Sequence, residues 1–279
     1  MEAPKRPTPS LAGRVAIVVG AGCKGEGIGN GRAAAILLAE SGARVVCVDL
    51  SQTDAERTVQ MIQNDGGDRE AISIVADVAK EEECNRVVQE TISKYRRLDI
   101  LVNNVSIIGA RGTAATVNMS HWDVGMRINV NSMVMMTKYA IPYMEKNERG
   151  QYRGSIINLS SIADMRGGSP DLMYATSKGA IINMTRAMAE HHAAQGIRVN
   201  CVCPGMVYTP IVFAGGGMSD EMRESRKNQS LLKTEGYGWD IGAAVRFLAG
   251  DEARWITGIV LPVDAGITSA ITVTVPQKL

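Results

Sequence analysis

The 279-residue sequence predicts an α/β fold, a parallel sheet of about seven strands with helices on both faces. Three observations predict it. From Arg14 onward, short β-branched runs alternate with longer helical patterns, the rhythm of repeated strand-helix-strand units. The runs are apolar throughout rather than alternating with polar residues, so helices must cover both sheet faces. No composition break, proline-glycine linker or fixed-period repeat divides the chain, so a single domain over residues 11–267 is expected.

Strands are expected at 14–19 (RVAIVV), 44–49 (RVVCVD), 71–76, 99–103, 154–159, 197–202 and 257–263. Helices are expected near 29–41, 52–65, 80–97, 120–146, 172–195 and 238–249. Two of these open with capping-box spacing, Ser51 to Asp54 and Ser120 to Asp123, in which a hydroxyl and a carboxylate satisfy unpaired helix N–H groups. Residues 1–10, rich in proline and lacking the apolar stretch of a signal peptide, read as a flexible lead-in. Residues 268–279 read as a tail. The stretch 203–237, with Gly215, Gly216 and Gly217, has no assigned element and reads as a lid or binding loop.

Thirty basic residues against 29 acidic ones leave a net charge of +1, too little to attract nucleic acid or an anionic membrane. No run approaches the roughly 18 apolar residues of a membrane span. Five cysteines, an odd and sparse set, suit a reducing compartment, so a cytoplasmic protein is expected. Cys201 and Cys203 would share one strand face and read as small buried hydrophobes.

The first expected strand runs into Gly20-Ala21-Gly22-Cys23-Lys24-Gly25-Glu26-Gly27-Ile28-Gly29, followed by an apolar helix. Glycines there let the backbone approach a phosphate, whose charge the helix N-terminus favours. Gly20, Gly22 and Gly25 match G-x-G-x-x-G, and Asp49 closes the second strand 20 residues past Gly29, where the ribose-binding carboxylate of a dinucleotide site is expected. A carboxylate at that position accepts hydrogen bonds from both ribose hydroxyls of NAD and repels the 2′-phosphate of NADP, so NAD is favoured and NADP is less so. Lys24 could sit beside a phosphate or in solvent. The same loop also suits an S-adenosylmethionine methyltransferase, so the second half of the chain must decide.

In that half, Tyr174 and Lys178 stand four residues apart in a helical pattern and so share a face. A nearby ammonium favours the phenolate, which makes Tyr174 a plausible general acid/base, a pairing for which a methyltransferase has no use. Thirteen residues upstream, Ser161 follows the fifth strand, where its hydroxyl can donate to a substrate oxygen; Asn129 lies in the fourth long helical pattern.

With these residues in order, the sequence resembles the short-chain dehydrogenase/reductases from about Leu11 to Ile267. Gly20 with Gly27-Ile28-Gly29 resembles the family's T-G-x-x-x-G-I-G loop, Asp77-Val78 its adenine-contacting pair, and Asn103-Asn104-Val105-Ser106 its N-N-A-G. Asn129, Ser161, Tyr174 and Lys178 match its catalytic tetrad. Pro204-Gly205-Met206-Val207-Tyr208-Thr209 resembles the P-G-x-V-x-T turn whose Val and Thr hold the nicotinamide amide. Trp255-Ile256-Thr257-Gly258 and Val263-Asp264-Ala265-Gly266 resemble the closing strand.

Three departures stand out. The glycine arc is three residues longer than the family's, it begins Val19-Gly20 without the usual threonine, and Asn104-Val105-Ser106 replaces the Ala-Gly ending.

The resemblance implies a Rossmann-like, doubly wound fold and a homotetramer or homodimer. It also implies hydride transfer between nicotinamide and a secondary alcohol or ketone. Tyr174 would exchange the proton, Ser161 steady the oxygen, Lys178 lower the tyrosine pKa and hold the nicotinamide ribose, and Asn129 anchor a water. A non-redox isomerase or lyase, or a nucleotide-sensing protein, is the alternative on the same fold.

Other signals read as structural. His191 and His192 are adjacent and cannot clasp one metal from a helix face, so no metal is expected. His121 reads as exposed. Met165, Met173, Met206 and Met218 with Tyr208 and Phe213 suggest an apolar substrate pocket, and Arg166 reads as an exposed loop arginine, with a substrate carboxylate as the alternative.

Overall fold

The computed structural model describes residues 6–148, 152–213 and 217–270. Residues 1–5, part of the lead-in, and 271–279, most of the tail, lie outside it, as do Gly215, Gly216 and the side chain of Phe213. In chain order the elements are β1 (Val15–Val19), α1 (Asn30–Glu40), β2 (Arg44–Asp49), α2 (Gln52–Asn64), β3 (Ala71–Val75), α3 (Glu81–Tyr95) and β4 (Ile100–Asn103). Then follow α4 (Met119–Met126), a π-helical turn (Arg127–Asn131), α5 (Ser132–Met144), β5 (Gly154–Leu159), α6 (Leu172–His192) and β6 (Ile197–Pro204). Last come α7 (Pro210–Phe213), α8 (Asp220–Asn228), α9 (Gly238–Ala249) and β7 (Val260–Val263).

The strands form one parallel sheet in the order β3-β2-β1-β4-β5-β6-β7. Alternate residues of β1 feed two separate cores, because successive side chains of a strand point to opposite faces. Val15, Ile17 and Val19 pack with Val87, Met136 and Met144 on the side of α3 and α5, while Ala16 and Val18 pack with Leu38, Ile241 and Val245 on the side of α1 and α9. Each such aliphatic side chain contributes about 1.5–3 kcal/mol on burial. The strand order reverses between β1 and β4, and in open α/β sheets that reversal opens a crevice beyond the C-terminal strand ends.

The sequence places every strand, with shifts at the ends: β6 runs two residues longer than expected and β7 starts only at Val260. The expected helix at 120–146 is instead α4 and α5 joined by the π-helical turn. Its N-cap is Asn118, not Ser120, with Asn118 Oδ1 accepting from the His121 N–H at 3.0 Å. At α2 the Ser51 cap stands: its Oγ accepts from the Asp54 N–H at 3.3 Å. The Ser51 N–H, however, donates to Asp49 Oδ1, so the reciprocal half of the box is replaced.

The 203–237 stretch carries α7 and α8. Ser219 caps α8 with Asp220 and Glu221 in the first turn and Arg226 and Lys227 in the last, which matches the helix dipole at both ends. At the far side of the molecule the end of α9 is clamped by two arginines. Arg14 donates to the Ala249 carbonyl at 3.1 Å and Arg198 to the Leu248 carbonyl at 2.7 Å.

Candidate active site

The residues singled out in the sequence converge on one edge of the sheet. Gly20, Asp49, Asn103 and Pro204 stand at or directly after the C-terminal ends of β1, β2, β4 and β6; Asp77-Val78 and Ser161 follow β3 and β5 by two or three residues.

At Gly20 the backbone turns with φ of +77°, a left-handed conformation that favours glycine, and its N–H donates to the Val48 carbonyl at 2.8 Å. The arc then rises and returns to α1. There Gly31 makes the tightest approach: a Cβ on it would fall 1.9 Å from the Gly20 carbonyl oxygen. Asn104 Nδ2 donates to that same oxygen at 2.9 Å. Asp49 Oδ2 accepts from the Gly22 N–H at 2.9 Å and Oδ1 from the Ser51 N–H at 3.1 Å, so the carboxylate is fixed in orientation. Gly27 meets Pro210 at the start of α7, where a Cβ on Gly27 would lie 2.2 Å from Pro210 Cγ. Ile28 and Gly29 pack under the start of α9, against Gly238.

Arg32 holds the arc from beneath, a role the sequence reading missed. It is fully buried, and its guanidinium donates to the carbonyls of Gly25 and Gly27, both at 2.6 Å, Cys23 at 2.5 Å and Asp54 at 3.3 Å, with Nε on Thr58 Oγ1 at 3.0 Å. Burial pulls this guanidinium below the usual arginine range. Burial likewise pushes the neighbouring Cys23 thiol up, against the pull of the Arg32 charge. Lys24 is exposed.

Farther along the edge, Val78 is buried and Asp77 Oδ1 accepts from the Ala79 N–H at 3.1 Å. Asn103 is buried with Nδ2 donating to Asn158 Oδ1 at 2.9 Å. Gly205 is pressed against Asp264, whose Cα a Cβ there would meet at 2.6 Å; Val207 bridges to Gly236, and Thr209 is buried.

On the other wall, Lys178 is buried on α6 and its Nζ donates to the Leu159 carbonyl at 3.1 Å, at the end of β5. The same Nζ lies 5.5 Å from the centre of the Tyr174 ring. Ser161 is two residues past that carbonyl, its Oγ accepting from the Ala163 N–H at 3.2 Å. Asn129 sits in the π-helical turn, fully buried. Its Oδ1 accepts from the Ile107 N–H and its Nδ2 donates to the Ile107 carbonyl, both at 2.8 Å. Nδ2 also donates to Ser177 Oγ at 3.0 Å, and Ser177 in turn donates to the Tyr174 carbonyl at 2.8 Å, which ties Asn129 to the turn carrying the tyrosine. Ser177 was not singled out in the sequence, although it stands three residues after Tyr174.

Several expected pocket residues find other duties. Met173 is fully buried, its terminal methyl wedged between Gly109 and Gly125, so it fills core rather than lining an open pocket. Met165 is exposed, and Met206, Tyr208 and Met218 are half-buried. Arg166 is an exposed loop arginine whose guanidinium donates to the Ile267 carbonyl at 3.2 Å. The His191 and His192 rings lie edge to face, 6.2 Å apart.

The edge fits a dinucleotide on its own terms. It offers a glycine arc too tight for side chains at Gly31, a fixed carboxylate at Asp49, and polar atoms in want of partners. Among the described residues, Asn30 Oδ1, Asn103 Oδ1 and Ser106 Oγ, all at the β1 and β4 ends, are buried without a hydrogen bond.

Fold and edge together define a nucleotide-dependent oxidoreductase, and the known proteins it matches agree. A family model described as enoyl-(acyl carrier protein) reductase matches residues 23–268. An uncharacterised oxidoreductase of Thermotoga maritima is 35% identical over 263 residues, 93% of this chain and 99% of that protein. The 2-(R)-hydroxypropyl-CoM dehydrogenase of Xanthobacter autotrophicus is 33% identical over 258 residues, 92% of this chain and 99% of its own. A crystal structure from Burkholderia xenovorans assigned to the short-chain dehydrogenase/reductases superposes with a TM-score of 0.85 at 34% identity, covering 94% of this chain and 99% of that one. The chain belongs to the short-chain dehydrogenase/reductase family, whose chemistry is NAD(P)-dependent oxidoreduction of small molecules.

Proposed function

We propose that this protein interconverts a secondary alcohol and a ketone on an apolar small molecule, with NAD as the preferred dinucleotide and Tyr174 as the general acid/base. One observation carries the reading: a buried ammonium, Lys178, lies 5.5 Å from the Tyr174 ring on one helix face, anchored to the end of β5. A positive charge so placed favours the phenolate, which suits the hydroxyl to exchange a proton with the substrate. The Ser161 hydroxyl donates to the substrate oxygen and stabilises charge developing there. Asn129, through Ser177, holds the α6 turn that presents Tyr174, and Lys178 contacts the nicotinamide ribose. The bound nicotinamide supplies or accepts the hydride.

At the other end Asp49 receives the adenosine ribose hydroxyls, the glycine arc of Gly20, Gly27, Ile28 and Gly29 faces the pyrophosphate, and Asp77-Val78 borders the adenine. Asn103, Pro204, Gly205, Val207 and Thr209 border the nicotinamide half. The half-buried Met206, Tyr208 and Met218 support an apolar substrate. The names of relatives frame the choice, since one is a 3-oxoacyl-(acyl-carrier-protein) reductase of Thermotoga maritima, 31% identical, and another a meso-2,3-butanediol dehydrogenase of Serratia marcescens, 29% identical.

The same reading takes residues 11–267 as one catalytic domain that works as a homotetramer or homodimer, with Met119, Val124 and Val134 exposed along the α4–α5 pair. It places the protein in the cytoplasm, where five free thiols stay reduced.

The deciding experiment screens cyclic and aliphatic secondary alcohols, diols, ketones and 3-oxoacyl thioesters with NAD(H) and NADP(H), following absorbance of the reduced nicotinamide. Turnover of an alcohol or ketone with NAD(H) supports the reading. Tight dinucleotide binding without turnover of any of them overturns it.

A further inference from the structure

The guanidinium of Arg32 is a fully buried cation that makes no carboxylate contact within ion-pair distance among the described residues. It is spent on backbone oxygens instead, and three of those belong to the lengthened glycine arc: Cys23, Gly25 and Gly27. A trans peptide points its carbonyl and the following N–H in opposite directions. Drawing three carbonyls down onto one guanidinium therefore turns the following amides away from it; that of Lys24 goes to the Cys23 thiol, which leaves those of Glu26 and Ile28. Among the described residues the amides of Glu26 and Ile28 donate to nothing. Thr58 completes the support, accepting from Arg32 Nε and donating to the Ala21 carbonyl at 2.8 Å, so α2 braces both the arginine and the start of the arc.

We propose that Arg32 is a positioning residue for dinucleotide binding: it folds the lengthened arc so that the amides of Glu26 and Ile28 are free for the pyrophosphate, and its charge supports the arc from below. The inference rests on the dinucleotide reading of the site and names the residue that makes the longer arc serve it. Rows of outward backbone amides backed by positive charge bind anions, and charge-assisted hydrogen bonds are the stronger kind. Arginine suits the position because its planar fork reaches several acceptors at once and stays protonated when buried; lysine, a point charge with three donors, cannot span the same oxygens.

The test titrates NADH by fluorescence into the full-length protein and into Arg32→Met, Arg32→Lys, and Arg32→Met combined with deletion of Lys24, Gly25 and Glu26. Circular dichroism and thermal melts report folding for each. Arg32→Met and Arg32→Lys are expected to weaken NADH binding by about 10- to 100-fold. The deletion is expected to restore affinity in the combined variant to within about threefold of the parent, because a short arc needs no central cation. That rescue separates arc support from general stability, which deletion of three surface residues would not repair. A folded Arg32→Met that binds NADH as the parent does overturns the proposal. So does a combined variant that binds no better than Arg32→Met. If Arg32→Met fails to fold, Arg32→Lys and the combined variant decide by the same criteria. A parent that binds neither NADH nor NADPH refutes the dinucleotide reading itself and takes this inference with it.

Discussion

The Asp49 carboxylate accepts a hydrogen bond from the Gly22 amide at 2.9 Å, tying the tip of β2 to the first part of the glycine arc. There is no slack in the contact, since a Cβ on Gly22 would fall 2.6 Å from the Asp49 carboxyl carbon. The carboxylate that, on the proposed reading, would select against a 2′-phosphate is thus held in place by the glycine arc. Asp49→Ser is expected to shift the NADP-to-NAD ratio of kcat/KM by about tenfold or more toward NADP. Steady-state kinetics with both dinucleotides checks it, and a parent enzyme already favouring NADP overturns the NAD assignment.

Tyr174→Phe removes the hydroxyl and leaves the ring over Lys178. Turnover is expected to fall by at least about a hundredfold while NADH affinity stays close to that of the parent. Single-turnover rates beside a binding titration separate the two, and a variant that keeps its turnover rules Tyr174 out as the acid/base.

Gly31→Ala places a methyl 1.9 Å from a backbone oxygen that is itself fixed by Asn104. The oxygen cannot retreat without disturbing the turn that the Gly20 N–H ties to Val48, nor α1 without losing its packing on the sheet and α9, so the cost is expected to be about 3 kcal/mol. Urea unfolding measures it. A loss below about 1 kcal/mol would show that α1 shifts freely on the sheet.

Helix α8 is latched by Arg223, whose Nε donates to Glu235 Oε1 at 3.1 Å, whose Nη2 pairs with Oε2, and whose guanidinium stacks on the Tyr208 ring at 4.1 Å. The Arg223 hydrogen bond holds the Glu235 carboxyl below its ordinary range, with Tyr237 adding a smaller push in the same direction. A depressed carboxyl contributes stability that is present above its unfolded value of 4.5 and lost as pH falls through the folded value. Limited proteolysis within 219–229 is therefore expected to accelerate in the parent only as pH falls below 4.5. In Arg223→Met it is expected to be fast at pH 7. Equal cleavage of both proteins at neutral pH would remove the latch.

Much of this architecture was legible because its signals are local. The strands are continuous β-branched runs, and Asp49, Tyr174 and Lys178 sit at spacings that chemistry constrains. What escaped depends on contacts far apart in sequence. Arg32 lies in an Ala- and Leu-rich helix, where an arginine reads as a solvent-facing residue, and only the fold reveals the carbonyls above it. The π-helical turn at Arg127–Asn131 leaves the apolar periodicity of 120–146 nearly intact, so one helix was expected where two stand. Helix α8 had a visible cap in Ser219 and matching end charges, but with no buried residues it shows no apolar stripe to find. Met173 was read as pocket lining because it adjoins Tyr174, whereas the helix turns the two in different directions.

The clamp on the end of α9 bears on how the chain assembles as it is made. Arg14, at the threshold of β1, finds its carbonyl acceptor 235 residues downstream, and Arg198 reaches the neighbouring carbonyl from β6. Until α9 has left the ribosome, the first strand lacks both this anchor and the Ile241 and Val245 side chains that cover one of its faces. Vectorial synthesis thus leaves β1 without part of its cover until α9 emerges, so its last packing partners are expected to arrive late.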